Sequence, residues 1–200
     1  MFSQTIILII VTTLISVTSF SNKKVYNDLI LYPPAINRGQ YYRFLTSGFI
    51  HADFQHLIFN MLTLYFFGDI IEQILTVNIG SWAFLTLYLG AIIISDIPSY
   101  LKNKDNPRYA SLGASGGVSA IVFAFIIFAP WSWFTFPPIP AIVFGVGYMW
   151  YSIYMSKKGQ DNVNHDAHLW GALFGVVFIF INMPGEVMGF VQRLMDVKGP

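Results

Sequence analysis

The residues best suited to chemistry lie between Tyr109 and Ala129, where Ser115 stands between Ala114 and Gly116. The run reads Tyr-Ala-Ser-Leu-Gly-Ala-Ser-Gly-Gly-Val-Ser-Ala, followed by a wholly apolar tail from Ile121 to Phe128. A serine hydroxyl in an apolar helix means little alone, because it can hydrogen-bond back to the carbonyl four residues earlier. The glycines beside it say more. Glycine lowers helix propensity and belongs where backbone must come close or take unusual dihedrals. The pattern suits Ser115 as a nucleophile, for which other segments must supply a base, an oxyanion site, water and a substrate.

Ionisable or strongly polar side chains inside apolar spans are functional candidates by default. His56 and Asn60 are four residues apart and share a helix face. His168, Gly171 and Gly175 form a single stripe, matched by Ser115 with Ser119 and by the small pair Gly113 and Gly117. Small residues let two transmembrane backbones approach closely. Packing these stripes together would bring Ser115 and His168, each near the start of its helix, within hydrogen-bond reach. Neutral His168 could then take the serine proton as general base. Attack on a peptide carbonyl creates an oxyanion that needs donors already in place. The Ser115 amide at a helix start is one, and the side chains of His56 and Asn60 are two more. The nearest carboxylate in sequence, Asp166, precedes the last span and faces water on this reading, so a dyad is expected. The Gly113–Gly117 knot is expected to line a water-filled pocket, since irregular backbone at membrane depth is tolerated around a cavity. Each feature alone has a plainer reading as packing, as an interfacial histidine or as a helix-bridging amide. Their conjunction on one membrane side carries the argument. His51, His165 and Ser111 are read as partly solvated interface or loop groups.

The elements that must position these groups are membrane spans. Of the 200 residues, 55% are hydrophobic and only 10% charged, too few for a soluble surface. A net charge of +1 leaves no electrostatic footprint for nucleic acid. With no cysteine, disulfides and thiolate metal sites are excluded. A ~30 Å hydrocarbon core asks for roughly 20 apolar residues per helix. Six such runs are present, about 2–20, 54–75, 81–101, 112–130, 138–155 and 167–184, in a single domain over 1–200. The first lacks a basic leading region and a small-x-small cleavage site, so it reads as a retained span. The longest loop, Ser21 to Asp53, carries too many large apolar groups for water and reads as lying in the interface, packed on the bundle. Pro137, Pro138 and Pro140 open the fifth span, a position that tolerates proline.

These residues resemble the rhomboid family of intramembrane serine proteases. The matching pieces are Tyr42-Arg43, His51-Ala-Asp-Phe-Gln-His56-Leu-Ile-Phe-Asn60-Met61, Gly68-x-x-x-Glu72, Gly113-Ala-Ser-Gly116 and Ala167-His168-Leu-Trp-Gly171-x-x-x-Gly175. The resemblance implies an all-α, six-helix membrane bundle with a long interfacial loop between the first two helices. It implies Ser115 as nucleophile, His168 as base, and His56, Asn60 and the Ser115 amide as the oxyanion site. Neither a cofactor nor a metal is called for. The implied partners are the lipid bilayer and transmembrane protein substrates, with the fifth span and the Ser156–Asp166 loop as gate and cap. Competing classes are a non-catalytic binder of transmembrane client helices and a small transporter. The family pattern has tryptophan where Tyr42 stands. Many members also carry an aromatic that stacks on the catalytic histidine where Ser119 stands, so His168 must be oriented by something else, such as a water or a ring from another span.

Charge placement points the other way from the family topology. Lys23, Lys24, Arg38, Arg43, Lys102, Lys104, Arg108, Lys157 and Lys158 follow spans one, three and five, against Arg193 and Lys198 on the opposite side. Counting basic residues would put Ser115 on the cytoplasmic side. The resemblance implies a multi-pass protein of a cell inner membrane whose active site opens away from the cytoplasm, and that topology is preferred.

Overall fold

In the computed structural model, residues 3–134, 138–158 and 163–197 are described. Phe2, Pro137, Lys198 and the middle of the Ser156–Asp166 loop therefore lie outside the described residues. The chain is an all-α bundle in the order α1 (Gln4–Ser21), α2 (Lys23–Leu29), α3 (Pro33–Ile36), α4 (Arg43–Thr46), α5 (Phe54–Asn78), α6 (Ala83–Asn103), α7 (Ser115–Phe128), α8 (Ala141–Lys158), α9 (His165–Asn182) and α10 (Gly185–Met195). A 3-10 turn, Ser47–Phe49, joins α4 to the approach of α5.

Among the described residues, four helices, α1, α5, α6 and α9, are long and apolar enough to cross a bilayer. They match four of the six apolar runs, and the chain is a multi-pass membrane protein. The run at 112–130 differs. Its helix begins only at Ser115 and has 14 residues, about 21 Å at 1.5 Å per residue. Its first turn is buried in the bundle, and the chain just before it is irregular. The run at 138–155 is helical as α8 but is less apolar, ending in Lys157 and Lys158.

Side-chain caps set several helix starts. Ser3 accepts the Ile6 N–H, Asn22 those of Lys24 and Val25, Asp53 that of His56, and Asn164 that of Ala167. The α1 start is also capped from a distance. The Glu72 carboxylate of α5 accepts the Gln4 N–H at 2.7 Å, the Thr5 N–H at 2.8 Å and the Thr5 hydroxyl at 2.8 Å. A β-carbon on Gly68 would lie 2.8 Å from the Thr5 methyl. Gly68 and Glu72, one turn apart on α5, thus seat the start of α1.

Helix α7 is the centre. Ten of its 14 residues are buried, and it packs against α5, α6, α8, α9 and α10. The Ser21–Asp53 loop is ordered as short helices with Leu31, Ile36 and Ile50 fully buried. Arg43 pins it: Nη1 donates to the Asn27 and Ile30 carbonyls, each at 2.7 Å, and Nε to Gln40 Oε1 at 2.7 Å. This burial matches the expectation that the loop packs on the bundle. The sequence pattern did not anticipate α10. That helix is held by Trp131 Nε1 donating to the Arg193 carbonyl at 3.0 Å and by Arg193 Nε donating to the Ile127 carbonyl at 3.0 Å. Glu186 pairs with the same guanidinium.

Candidate active site

The stretch before Ser115 is tied at four points. Leu31 and Ser111 exchange backbone hydrogen bonds, each 3.0 Å, forming an antiparallel bridge to the long loop. The Gly113 N–H donates to the Ser47 carbonyl at 2.9 Å, and the Ala114 N–H to His51 Nε2 at 3.3 Å. Gly113 has φ +118°, a conformation open to glycine. Its α-carbon lies under the His56 ring so closely that a β-carbon would stand 2.6 Å from Cε1. The sharp turn and the ring contact both require glycine at this position.

Ser115 is therefore the first residue of α7, half-buried, with Ala114 as N-cap. Alanine offers no side-chain acceptor, so the N-cap residue itself does not cap the first amides of α7. Such a helix start is a ready anion site. His56 and Asn60 share one face of α5 as expected. Asn60 is buried, and its Nδ2 donates to the His56 carbonyl at 3.0 Å.

His168 sits in the first turn of α9. The two helix starts meet because glycine removes the side chains between them. A β-carbon on Gly171 would lie 2.2 Å from the Gly116 carbonyl oxygen, and one on Gly175 would lie 2.4 Å from that of Ala120. A β-carbon on Gly116 would meet Ser95 Oγ at 2.1 Å, and the Ala167 carbonyl is 3.6 Å away. Ser115 thus neighbours one member of the contact and His168 neighbours the other.

Three groups read from the sequence as partly solvated are instead structural members of the site. His51 is fully buried. Its Nδ1 meets Ser16 Oγ at 2.9 Å, and Ser16 in turn donates to the Phe49 carbonyl at 2.9 Å. With Nε2 accepting from Ala114, this chain requires the neutral ring with its proton on Nδ1. Burial, and secondarily the adjacent His56, pulls the His51 pKa down to about 3 against the opposing influence of Asp53. His165 is buried, edge-on to both His168 and Tyr151. Ser111 is buried and accepts from Asn164 Nδ2 at 2.8 Å. Asn164 also accepts from Ser99 of α6 at 2.8 Å and caps α9, tying three elements at the histidine end. Asp166 lies within the first turn of α9 rather than before it, and is one-fifth exposed. It binds Ser156 Oγ and forms an ion pair with Lys102 at 3.1 Å. The expected water-facing carboxylate is thus engaged in the framework. Asn164 went unremarked in the sequence because a cap is recognisable only once the helix start is known.

A ring does lie on His168. Tyr148 of α8 stacks on it with centroids 5.6 Å apart and planes at 25°. The Tyr148 hydroxyl is 3.0 Å from Ser119 Oγ.

Residues 38–185 match the family model described as the rhomboid domain. RHOMBOID-like protein 12, mitochondrial, of Arabidopsis thaliana is 28% identical over 79% of this chain and 51% of its own length. The presenilin-associated rhomboid-like protein, mitochondrial, of Homo sapiens is 32% identical over 68% of this chain and 36% of its own. A putative rhomboid protease, YdcA, of Bacillus subtilis (strain 168) is 31% identical over 48% and 46%. The chain spans about a third to a half of the length of these relatives. Two of the three are named mitochondrial, so they do not support a cell inner membrane in particular.

Proposed function

The chain belongs to the rhomboid family, and on that premise we propose that it is an intramembrane serine endopeptidase cleaving transmembrane helices through Ser115 and His168. The observation that carries this reading is the close approach of Gly116 to Gly171, which supports a nucleophile and a base at adjacent helix starts.

In the proposed reaction, Ser115 Oγ attacks the carbonyl carbon of a scissile peptide while its proton passes to His168. The carbonyl oxygen becomes an oxyanion, held by the Ser115 amide and by the His56 and Asn60 side chains. The carbon–nitrogen bond then breaks as His168 gives the proton to the leaving amine, which departs with the C-terminal fragment. Water attacks the resulting ester, giving its proton to His168, and the ester breaks with Ser115 taking that proton back. The start of α7 supports the oxyanion role, since the first amides of a helix lack an intrahelical acceptor and Ala114 offers no side-chain cap. No step calls for a metal or an organic cofactor. We place the opening of the site on the extracytoplasmic side, in keeping with the family topology, and the whole domain as the catalytic unit.

The test is cleavage of a model transmembrane substrate in proteoliposomes by the parent, Ser115→Ala and His168→Ala proteins. Product from the parent alone is expected. Equal cleavage by all three would sink the dyad. Substrate capture without cleavage, and without Ser115 labelling by a serine-directed electrophile, would instead favour a non-catalytic binder.

A further inference from the structure

We propose that Tyr148 is the positioning residue for His168, and that the seating of α8 against α7 thereby governs whether the base is aimed. The inference rests on the Ser115–His168 reading above.

The argument begins with what can hold an imidazole ring. His168 is half-buried at a helix start, and its χ2 torsion is soft, as for any sp³–sp² bond. A flat neighbour removes that freedom by occupying one face. Tyr148 does so at 5.6 Å and 25°, and its own ring is stacked in turn on Phe144 at 5.6 Å and 21°. His165 stands edge-on to His168 at 5.7 Å. The column is Phe144, Tyr148, His168, with an edge contact closing its end.

The far end of Tyr148 is fixed as well. Its hydroxyl reaches Ser119 Oγ at 3.0 Å, and Ser119 lies one turn after Ser115 on α7. Tyr148 therefore spans from the helix of the nucleophile to the ring of the base. A serine at 119 leaves room for the ring and anchors it, so the aromatic face comes from α8 rather than from α7. Three residues on, Tyr151 meets His165 edge-on at 5.5 Å. One face of α8 thus touches both histidines of α9.

Its attachment to α7 is slight. Along its 18 residues α8 buries only Ala141, Gly145 and Ser152. Gly145, one turn before Tyr148, is where α8 rests on Ile126 of α7, and a β-carbon there would stand 2.8 Å from Ile126 Cδ1. Displacing α8 from α7 would carry Tyr148 with it and take the stacked ring off that face of His168. Base orientation is then conditional on α8 being docked.

The experiment measures the rate at which a fluorophosphonate labels Ser115 in the purified full chain, which requires the activated hydroxyl but no substrate helix. Tyr148→Leu keeps apolar volume and removes the ring, and should slow labelling on the order of 100-fold, the cost of a misplaced catalytic group. Tyr148→Phe keeps the ring and should label within a few-fold of the parent, with both variants melting near the parent temperature. Gly145→Leu should wedge α8 outward and slow labelling with Tyr148 and His168 both in place. It also serves if Tyr148→Leu does not fold. Parent-like labelling of Tyr148→Leu, or Tyr148→Phe as slow as Tyr148→Leu, overturns the inference while leaving the dyad standing. A parent that does not label at Ser115 overturns the dyad and this inference together.

Discussion

The α-carbon of Gly171 faces the carbonyl oxygen of Gly116 so closely that a single methyl would come within 2.2 Å of it. The opposing atoms are backbone, which cannot turn aside as a side chain can. Gly171→Ala should therefore force α9 away from α7, costing about 1–3 kcal/mol as overpacking generally does and separating the candidate dyad. Gly147 on α8 has nothing within 4 Å of a β-carbon. Gly147→Ala should leave stability unchanged or raise it by about 1 kcal/mol through helix propensity. Unfolding midpoints in detergent check the pair, and a Gly171→Ala protein that melts with the parent would refute the close-approach argument.

His51 predicts a pH dependence. Its folded pKa, about 3, lies below the ordinary 6.5. Above pH 6.5 the ring is neutral folded and unfolded, and stability is full. As pH falls through 6.5 the unfolded chain takes up a proton that the folded chain refuses, so stability declines towards pH 3. At about 1.4 kcal/mol per pKa unit the loss amounts to a few kcal/mol. His51→Gln, which cannot titrate, should flatten the fall of the unfolding midpoint between pH 7 and 5. An identical slope in both proteins would remove His51 from the account.

Asn60 is predicted to act in the transition state. Asn60→Ala should lower kcat by about 100- to 1,000-fold, as loss of one oxyanion donor does, with KM for a model substrate near the parent value. A change confined to KM would assign Asn60 to substrate binding or helix packing instead.

Much of this arrangement was legible in the sequence because it follows from periodicity. His56 with Asn60, and Ser115 and Ser119 against Gly171 and Gly175, declare a shared face by spacing alone, and four spans declare themselves by length. What was not legible depends on where a helix begins and on which faces meet. Apolarity extends across 112–130, yet α7 starts at Ser115 because Gly113 breaks the backbone and Ala114 is held by His51. His51 looked like a loop histidine because its partners, Ser16 and Ala114, are 35 and 63 residues away. Tyr148 carried no signal, since α8 is aromatic on several faces and only packing selects the ring that reaches His168. One of the counted basic residues also has a role that its sequence position does not show: Arg43 is buried, its guanidinium engaged by carbonyls inside the folded loop.

Glu72 gives a prediction that separates stability from chemistry. Its carboxylate receives two backbone N–H groups and a hydroxyl at the start of α1, where negative charge is favoured by the helix dipole. Glu72→Gln keeps the shape but replaces charge-assisted bonds with neutral ones, weaker by about 1–2 kcal/mol in total. Glu72→Ala leaves the Thr5 N–H buried without that acceptor, at a cost of about 1–3 kcal/mol for the one donor. The unfolding midpoint should therefore fall in the order parent, Glu72→Gln, Glu72→Ala. Well below those midpoints Ser115 labelling should keep the parent rate, because Glu72 meets the start of α1 whereas the Ser16–His51 link lies three turns further along that helix. Slower labelling at full folding would mean that α1 transmits its seating through Ser16 and His51 to Ala114, making the cap part of the catalytic framework.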